Sequence, residues 1–319
     1  MSVSHSRRSV LAVPGSSEKM IGKSLDFQVD QLFLDLEDAV APGVKALARD
    51  LIANTFGMLE SNGREFVAGI VSIRINGATT PWIHDDLSLL ASGCGSKIYS
   101  VILPKSASLE ELKWLDSELF KVEKSCGMAR GSIAVDAQIE SAQGVVRVEE
   151  IANAPRVTSI AFGPADFMAD LGMPSPVVTS QPAGYEIADA FHYPMMRILI
   201  AARAAGIAAI DGPILEVHNL EKFRESALRA CALGFDGKWV LHPSQIDACN
   251  EIFTPSQEVF DNAALILEAY DFYTSDIGGL KGAVVYNGTM IDEASRKMAQ
   301  ATFLRGMSSG LKSGKKFIP

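Results

Sequence analysis

Residues 98–137 read IYSVILPKSASLEELKWLDSELFKVEKSCGMARGSIAVDA. The stretch opens with an apolar, β-branched run, Ile98–Leu103, and Pro104-Lys105 ends it. Ser108, with Glu111 three residues on, has the form of a capping box. Apolar residues then recur at helical spacing to Ser125. A second apolar run follows, Ser132–Ala137. Strands this apolar have no face to show water. Strand, helix, strand of this kind is the unit of a parallel sheet covered on both sides.

The rhythm extends both ways. Further strands are expected at Ser9–Val13, Gln31–Leu36, Ile70–Ile75, Val157–Phe162, Ile207–Ile210 and Lys238–Leu241. Helices are expected from Ser16 or Ser17 to Phe27 and over Gly43–Leu59, Pro81–Ala91, Gln143–Asn153, Tyr185–Ala205, Leu220–Leu233 and Pro243–Ile252. Gly206 and Gly234 stand where helices should stop. Eight strands, each followed by a helix, is the count of a (β/α)8 barrel. The competing doubly wound sheet usually carries a Gly-rich phosphate turn after its first strand. Pro14-Gly15-Ser16-Ser17 is not one. We therefore expect an α/β chain: a TIM barrel over residues 1–254, and a C-terminal helical extension and lid over 255–319. The extension reads as a helix (Pro255–Tyr273), a Gly-rich turn, a short strand (Ala283–Tyr286), an Asn287-Gly288 turn and a last helix (Asp292–Leu304).

Composition narrows the function. Of 319 residues, 48% are hydrophobic and 21% charged, enough apolar content for a large core. Lys plus Arg is 29 against 38 for Asp plus Glu, a net charge of -9, which argues against non-specific nucleic-acid binding. Four cysteines lie scattered without CxxC spacing, so free thiols are expected rather than a zinc site. The first ten residues do not read as a secretory leader, and Met195 to Ile210 is too short and too charged to span a bilayer. A cytoplasmic chain with no membrane partner is the expectation.

In such a barrel the site forms where strands finish. There stand Glu37 and Asp38, Arg74 and Asn76, Lys105, Glu140, Asp166, Asp211 and His242. His5, His84, His192 and His218 lie in less informative contexts and are expected to be ordinary surface or packing residues. Glu140 and Asp166, on neighbouring strands and without a His/Cys cluster, suit a hard cation such as Mg2+, with Mn2+ as a substitute. Gly163-Pro164 makes a sharp turn that can aim Asp166 inward. Arg74 offers a guanidinium fork to a planar carboxylate such as that of a 2-oxo acid. Lys105 is open to three roles: Schiff base, anion binder or partner of Glu37 or Asp38.

These residues also carry a resemblance. Arg8-Ser9-Val10-Leu11-Ala12-Val13-Pro14-Gly15 resembles the opening of the citrate lyase β-subunit-like family, which groups with the malyl-CoA and citramalyl-CoA lyases. Further landmarks follow in order: Leu34-Asp35-Leu36-Glu37-Asp38-Ala39-Val40, Ile73-Arg74-Ile75-Asn76, Leu103-Pro104-Lys105, Gln138-Ile139-Glu140-Ser141, Phe162-Gly163-Pro164-Ala165-Asp166 and Leu241-His242-Pro243-Ser244-Gln245. Near the end comes Asn287-Gly288-Thr289-Met290-Ile291-Asp292.

The resemblance implies a Mg2+-dependent lyase that splits a 3-hydroxyacyl-CoA thioester into acetyl-CoA and a 2-oxo acid. It implies Glu140 and Asp166 as metal ligands. Arg74, with Gly163 and Pro164 beside it, would bind the oxo acid. Asp292 would be an acid/base on a lid covering a neighbouring subunit's site in a homotrimer or hexamer. Arg8, Lys19 and Lys23 would lie near the CoA phosphates. Glu37 is a candidate base for the hydroxyl proton. An ordinary helix cap is the other reading of Asp292. A malyl-CoA thioesterase, or a citrate lyase β subunit acting on an acyl-carrier partner, are the other readings of function. Gln138-Ile139-Glu140-Ser141-Ala142 and Ala165 depart from many relatives, and both touch substrate choice.

Overall fold

The computed structural model describes residues 6–174 and 189–318. Eight parallel strands close a barrel in chain order: β1 (Ser9–Pro14), β2 (Gln31–Asp35), β3 (Ile70–Arg74), β4 (Ser100–Leu103), β5 (Ala134–Ile139), β6 (Val157–Phe162), β7 (Ala208–Asp211) and β8 (Gly237–Val240), with β8 pairing back on β1. Around it run α1 (Glu18–Ser24), α2 (Lys45–Ser61), α3 (Ile83–Ala91), α4 (Leu109–Ser125), α5 (Ala142–Val146), α6 (Val148–Ala152), α7 (Pro164–Asp170), α8 (His192–Ala205), α9 (Leu220–Leu233) and α10 (Ile246–Phe253). The expected TIM barrel is therefore what the chain forms.

Period-two alternation decides what fills the interior. Gln31, Phe33 and Asp35 share one face of β2, and the neighbouring strands repeat the layering. At the N-terminal end lie buried Gln31, Ser72, Ser100, Asp136 and Ser159. The middle layer is apolar: Val10, Phe33, Ile102, Ala161, Ile210 and Trp239. Phe33 and Trp239 meet with ring centres 4.6 Å apart. Above them, at the C-terminal ends, come Asp35, Arg74, Gln138 and Glu140, all buried. The opposite faces, such as Leu32 and Leu34, are buried too and meet the helices.

Local signals behaved as their chemistry requires. Ser17 caps α1 and Ser108 caps α4. The Glu111 carboxylate accepts from the Ala107 N–H at 3.1 Å, closing the capping box one residue early. Gly206 and Gly234 end α8 and α9 in the left-handed region.

Two helix expectations and one turn expectation need correcting. The helix expected over Gln143–Asn153 breaks at Arg147 (φ −105°, ψ 15°) into α5 and α6. Gly163-Pro164 opens a short helix, α7, rather than a plain turn: proline's fixed φ suits the first helical position, and Asp166 in the first turn favours the dipole. The helix expected from Tyr185 starts at His192, because Asp189 takes the Phe191 N–H at 2.9 Å just ahead of it. Residues 185–188, like His5, lie outside the described residues.

The chain divides into two compact units, and the division falls within α10: Arg7–Glu251, and Ile252 onward together with Ser6. The second unit holds α11 (Gln257–Thr274), a hairpin of β9 (Val284–Tyr286) and β10 (Thr289–Ile291), and α12 (Glu293–Ser308). Asn287 and Gly288 both have positive φ, as a two-residue hairpin loop demands. Phe260 stacks on Phe303 at 5.1 Å to join the two helices. All four cysteines are free, and no helix among the described residues is long and apolar enough to cross a membrane.

Candidate active site

Asp35 and Arg74 lie in register on β2 and β3. Arg74 Nε donates to one Asp35 oxygen at 2.7 Å and Nη2 to the other at 2.6 Å. The guanidinium rests on the apolar layer, 5.6 Å from the Phe33 ring centre and 5.5 Å from that of Trp239. Burial works against its charge, yet Asp35 outweighs that and raises the Arg74 pKa above its ordinary value. Only Nη1 remains to face the rim, 3.3 Å from Glu37 Oε2 and 3.4 Å from Gln138 Oε1.

Glu37 is the junction of the rim. Its Oε1 accepts from Lys105 Nζ at 2.7 Å and its Oε2 from the Asp38 N–H at 2.8 Å. Lys105 Nζ also reaches Asp38 at 3.3 Å. Lys105 is thus the partner of Glu37 and Asp38. Burial raises the Glu37 carboxyl above its usual range, with Arg74 and Lys105 pulling against that rise. Lys105 itself sits at φ 52°, a strained position that costs about 1–3 kcal/mol for a non-glycine residue. The strain turns its N–H onto Glu140 Oε1 at 2.7 Å while its ammonium serves Glu37.

Glu140 ends this chain of contacts. Its second oxygen accepts from the Gln138 side-chain amide. Burial, then the charge of Asp166, push its carboxyl up to about 8. Gly163 is required here for close approach, because a Cβ at that position would overlap the Glu140 carboxylate. Asp166 follows on α7, half-buried. Asp170 on the same helix accepts the Ala142 N–H at 2.7 Å, tying the segment that follows Glu140 to the helix that carries Asp166. Beside Glu37 and Lys105 opens a cavity of about 300 Å³, walled by Lys45, Asn76, Thr79, Thr80, Trp82 and Glu111 among others.

The structure brings Glu37, Arg74, Glu140, Gly163, Pro164 and Asp166 to this rim. It does not bring Arg8 there. Arg8 precedes β1, at the opposite end of the barrel, and its Nε and Nη2 both donate to Asp30 at 2.8 Å. Lys19 and Lys23 are exposed on α1, the helix that follows β1 at the rim end. Asp211 is held by Lys238 at 2.6 Å, a buried ion pair inside the barrel wall. His242 accepts the Ser244 N–H as a cap. Asp292, in the second unit, caps α12: its Oδ1 accepts from the Ser295 N–H at 2.9 Å and from the Ser295 hydroxyl at 3.0 Å. Three contributors went unread in the sequence: Asp35, Lys45 and Gln138. The signal was there for Asp35 and Gln138, since an Asp and a Gln within apolar strands must find buried partners.

The model of the HpcH/HpaI aldolase/citrate lyase family matches residues 8–243. The chain belongs to this family. It is 34% identical over 296 residues to an L-malyl-CoA/beta-methylmalyl-CoA lyase of Cereibacter sphaeroides, covering 90% of each chain. It is 32% identical over 307 residues to the citrate lyase subunit beta of Escherichia coli, covering 96% of this chain and 95% of that one. Among solved structures, CitE of Mycobacterium tuberculosis in complex with magnesium, acetoacetate and coenzyme A superposes with a TM-score of 0.71 at 28% identity, covering 95% of this chain and 98% of that one. A citrate lyase from Burkholderia xenovorans, at 22% identity and a TM-score of 0.80, shares the fold over 98% of this chain and 96% of that one. These likenesses span both the barrel and the extension, whereas the family model covers the barrel only.

Proposed function

We infer that this chain of the aldolase/citrate lyase family is a Mg2+-dependent carbon–carbon lyase. Its substrate would be a 3-hydroxy-3-carboxyacyl-CoA of the malyl-CoA or citramalyl-CoA type, cleaved reversibly to acetyl-CoA and a 2-oxo acid. The observation that carries the reading is the charge at the rim. Arg74, Lys105 and Lys45 stand against Asp35, Glu37, Asp38, Glu140 and Asp166, so with all ionised the carboxylates exceed the cations by two. The strain concentrates on buried Glu140, whose carboxyl burial and the Asp166 charge push up to about 8, and a cation between the two would relieve it. The donors fit Mg2+, because Glu140 and Asp166 offer hard oxygens and this ion commonly uses one or two carboxylates, completing its shell with water and substrate. Bound there, the ion would supply a Lewis acid for the substrate oxygens. The named relatives act on CoA thioesters or bear the name of citrate lyase, which supports the substrate class.

Each side chain then has a task. Arg74 Nη1, held in place by the Asp35 fork, donates to the substrate carboxylate. Glu37 accepts the hydroxyl proton. The carbon–carbon bond breaks, its electron pair passes to the carbon next to the thioester, and a 2-oxo acid leaves. Asp292 of a neighbouring copy protonates that carbon to give acetyl-CoA; in the condensing direction the carboxylate removes the same proton. This calls for an oligomer, which the family resemblance makes a homotrimer or hexamer. The N–H and hydroxyl of Ser295 hold the Asp292 carboxyl below its usual value, so it rests ionised, the form from which the condensing direction starts. Lys19 and Lys23 remain candidates for the CoA phosphates.

The test is to incubate pure protein with Mg2+, acetyl-CoA and, separately, glyoxylate, pyruvate and oxaloacetate, and to weigh the products. A new acyl-CoA of the summed mass is expected with at least one acid. Release of free thiol without condensation would replace the lyase with a thioesterase. Turnover only with a carrier-bound acyl group would make the chain a citrate lyase β subunit, as its Escherichia coli relative is named.

A further inference from the structure

Lys45 is the first residue of α2 and is buried, yet none of the carboxylates in its surroundings takes its ammonium in an ion pair among the described residues. Instead Nζ donates to two backbone carbonyls, Leu36 O at 2.7 Å and Glu37 O at 2.9 Å. It also lies 4.8 Å from the centre of the Trp82 ring. Burial lowers its pKa, while Glu37 and Asp35 act against that fall. A buried ammonium is expensive unless its bonds matter to the fold or the site.

The two carbonyls explain its position. They belong to the turn just past β2, where the strand ladder has ended. Leu36 O also receives the Asn76 amide at 3.1 Å, and Glu37 O receives the Val40 N–H at 3.1 Å. From the same side Asp35 accepts the N–H groups of Glu37 at 2.9 Å and Ala39 at 3.1 Å. The Glu37 backbone is therefore fixed at both its N–H and its C=O, and its side chain leaves at one angle, between Lys105 and Arg74. Arg49, one turn along α2, holds the Trp82 carbonyl at 3.1 Å, so the ring beneath the ammonium is braced as well.

We propose that Lys45 is a positioning residue for the lyase reaction: its ammonium holds the Leu36–Glu37 backbone and thereby sets the Glu37 carboxylate between Arg74 and Lys105. The proposal rests on the lyase reading for its kinetic arm only. Lys45 touches no reacting atom and acts through Glu37.

The test compares Lys45→Met, Glu37→Gln and the double variant in the Mg2+-dependent cleavage assay. Lys45→Met keeps the packing on Trp82 and loses two charge-assisted hydrogen bonds. The expected result is a fall in kcat of about tenfold to a hundredfold with little change in KM. In the Glu37→Gln background the same change should cost almost nothing more, and Lys45→Arg should recover part of the loss. Equal losses in both backgrounds, tracking a lower melting temperature, would overturn the proposal, because they describe a residue that only supports the fold. A crystal structure of Lys45→Met supplies the second arm, with the Glu37 carboxylate expected to move by about 1 Å or more from Lys105 Nζ. An unmoved carboxylate would overturn the proposal even if the wild-type protein turned over no thioester. A moved carboxylate in a protein without lyase activity would uphold the positioning role and reject the lyase reading.

Discussion

The two ends of the barrel interior solve opposite problems. At the N-terminal end Arg7 meets Asp136 at 2.8 Å, one cation to one carboxylate. Asp136 also accepts from Ser159 at 2.7 Å, Thr158 at 3.2 Å, Gln31 at 2.9 Å and Ser100 at 2.7 Å. At the C-terminal end, three cations face five carboxylates. Matched charge under a full set of hydrogen bonds makes a plug, and mismatched charge is what the proposed metal and substrate would answer. One fold carries both because the rim, and not the floor, meets the βα loops.

The largest expected effect breaks the rim. Glu140→Ala or Asp166→Ala should lower lyase activity by about a thousandfold or more, as should EDTA, with Mg2+ or Mn2+ restoring only the wild type. Asp166→Ala should unfold in denaturant no more easily than metal-free wild type, since it removes one of two repelling charges, whereas Glu140→Ala also takes the acceptor from the Lys105 N–H and the Gln138 amide and should cost about 1–3 kcal/mol. Full activity in metal-free buffer would end the lyase mechanism, and a collapse of stability would make the pair structural.

Breaking the floor should do the reverse. Arg7→Met leaves Asp136 buried without its cation and should cost about 3–5 kcal/mol of unfolding free energy. The kcat of the folded fraction should hardly change. Acid sharpens the same contrast. Burial alone would raise the Asp136 carboxyl, but Arg7 and the surrounding donors hold it below the usual Asp value. A depressed carboxylate contributes stability above its unfolded pKa and loses it as pH falls through the folded value. The wild type should therefore lose stability below about pH 4, and the dependence should flatten in Arg7→Met. An unaltered acid limb in the variant would remove Arg7 from the account.

Asp292 tests whether a cap can also be a reagent. Asn caps a helix about as well as Asp, so Asp292→Asn should keep the Ser295 contacts and the melting temperature. Loss of the proton-transfer group should still slow turnover by about a hundredfold. Mixing Asp292→Asn with Glu140→Ala under subunit exchange should restore roughly a quarter of the sites if the lid serves a neighbour in a closed ring. No recovery despite exchange would confine Asp292 to its own subunit or to capping.

How much of this could be read from the sequence follows from what each residue packs against. The eight strands were legible because both their faces are buried, so they stand out as apolar runs. Glu37, Arg74, Glu140 and Asp166 were legible because charged residues close those runs. The floor was not. Gln31, Ser72, Ser100, Asp136 and Ser159 sit on five strands, and no local pattern says that they meet. Asp35 was passed over for the same reason, lying inside a strand whose partner is 39 residues on. Arg8 was a different failure: a residue before a strand belongs at the end away from the rim, and the strand direction already said so.

The smallest expected effect compares the two buried arginines directly. Arg7 spreads its donors over Gln31, Asp136, Ser159 and Thr158, all inside the plug. Arg74 spends two donors on Asp35 and keeps one toward the rim. Replacing each by Lys keeps the charge and removes the fork. Arg74→Lys should lower kcat/KM by about tenfold, because a single ammonium cannot hold Asp35 at both oxygens and still reach the oxo acid. Arg7→Lys should leave kcat/KM near wild type and reduce stability, because its lost bonds all lie at the floor. Steady-state kinetics and denaturant midpoints on both variants decide it. If Arg74→Lys costs stability and spares kcat/KM, Arg74 and Asp35 form a second plug, and the oxo-acid carboxylate must be met by another donor on the rim.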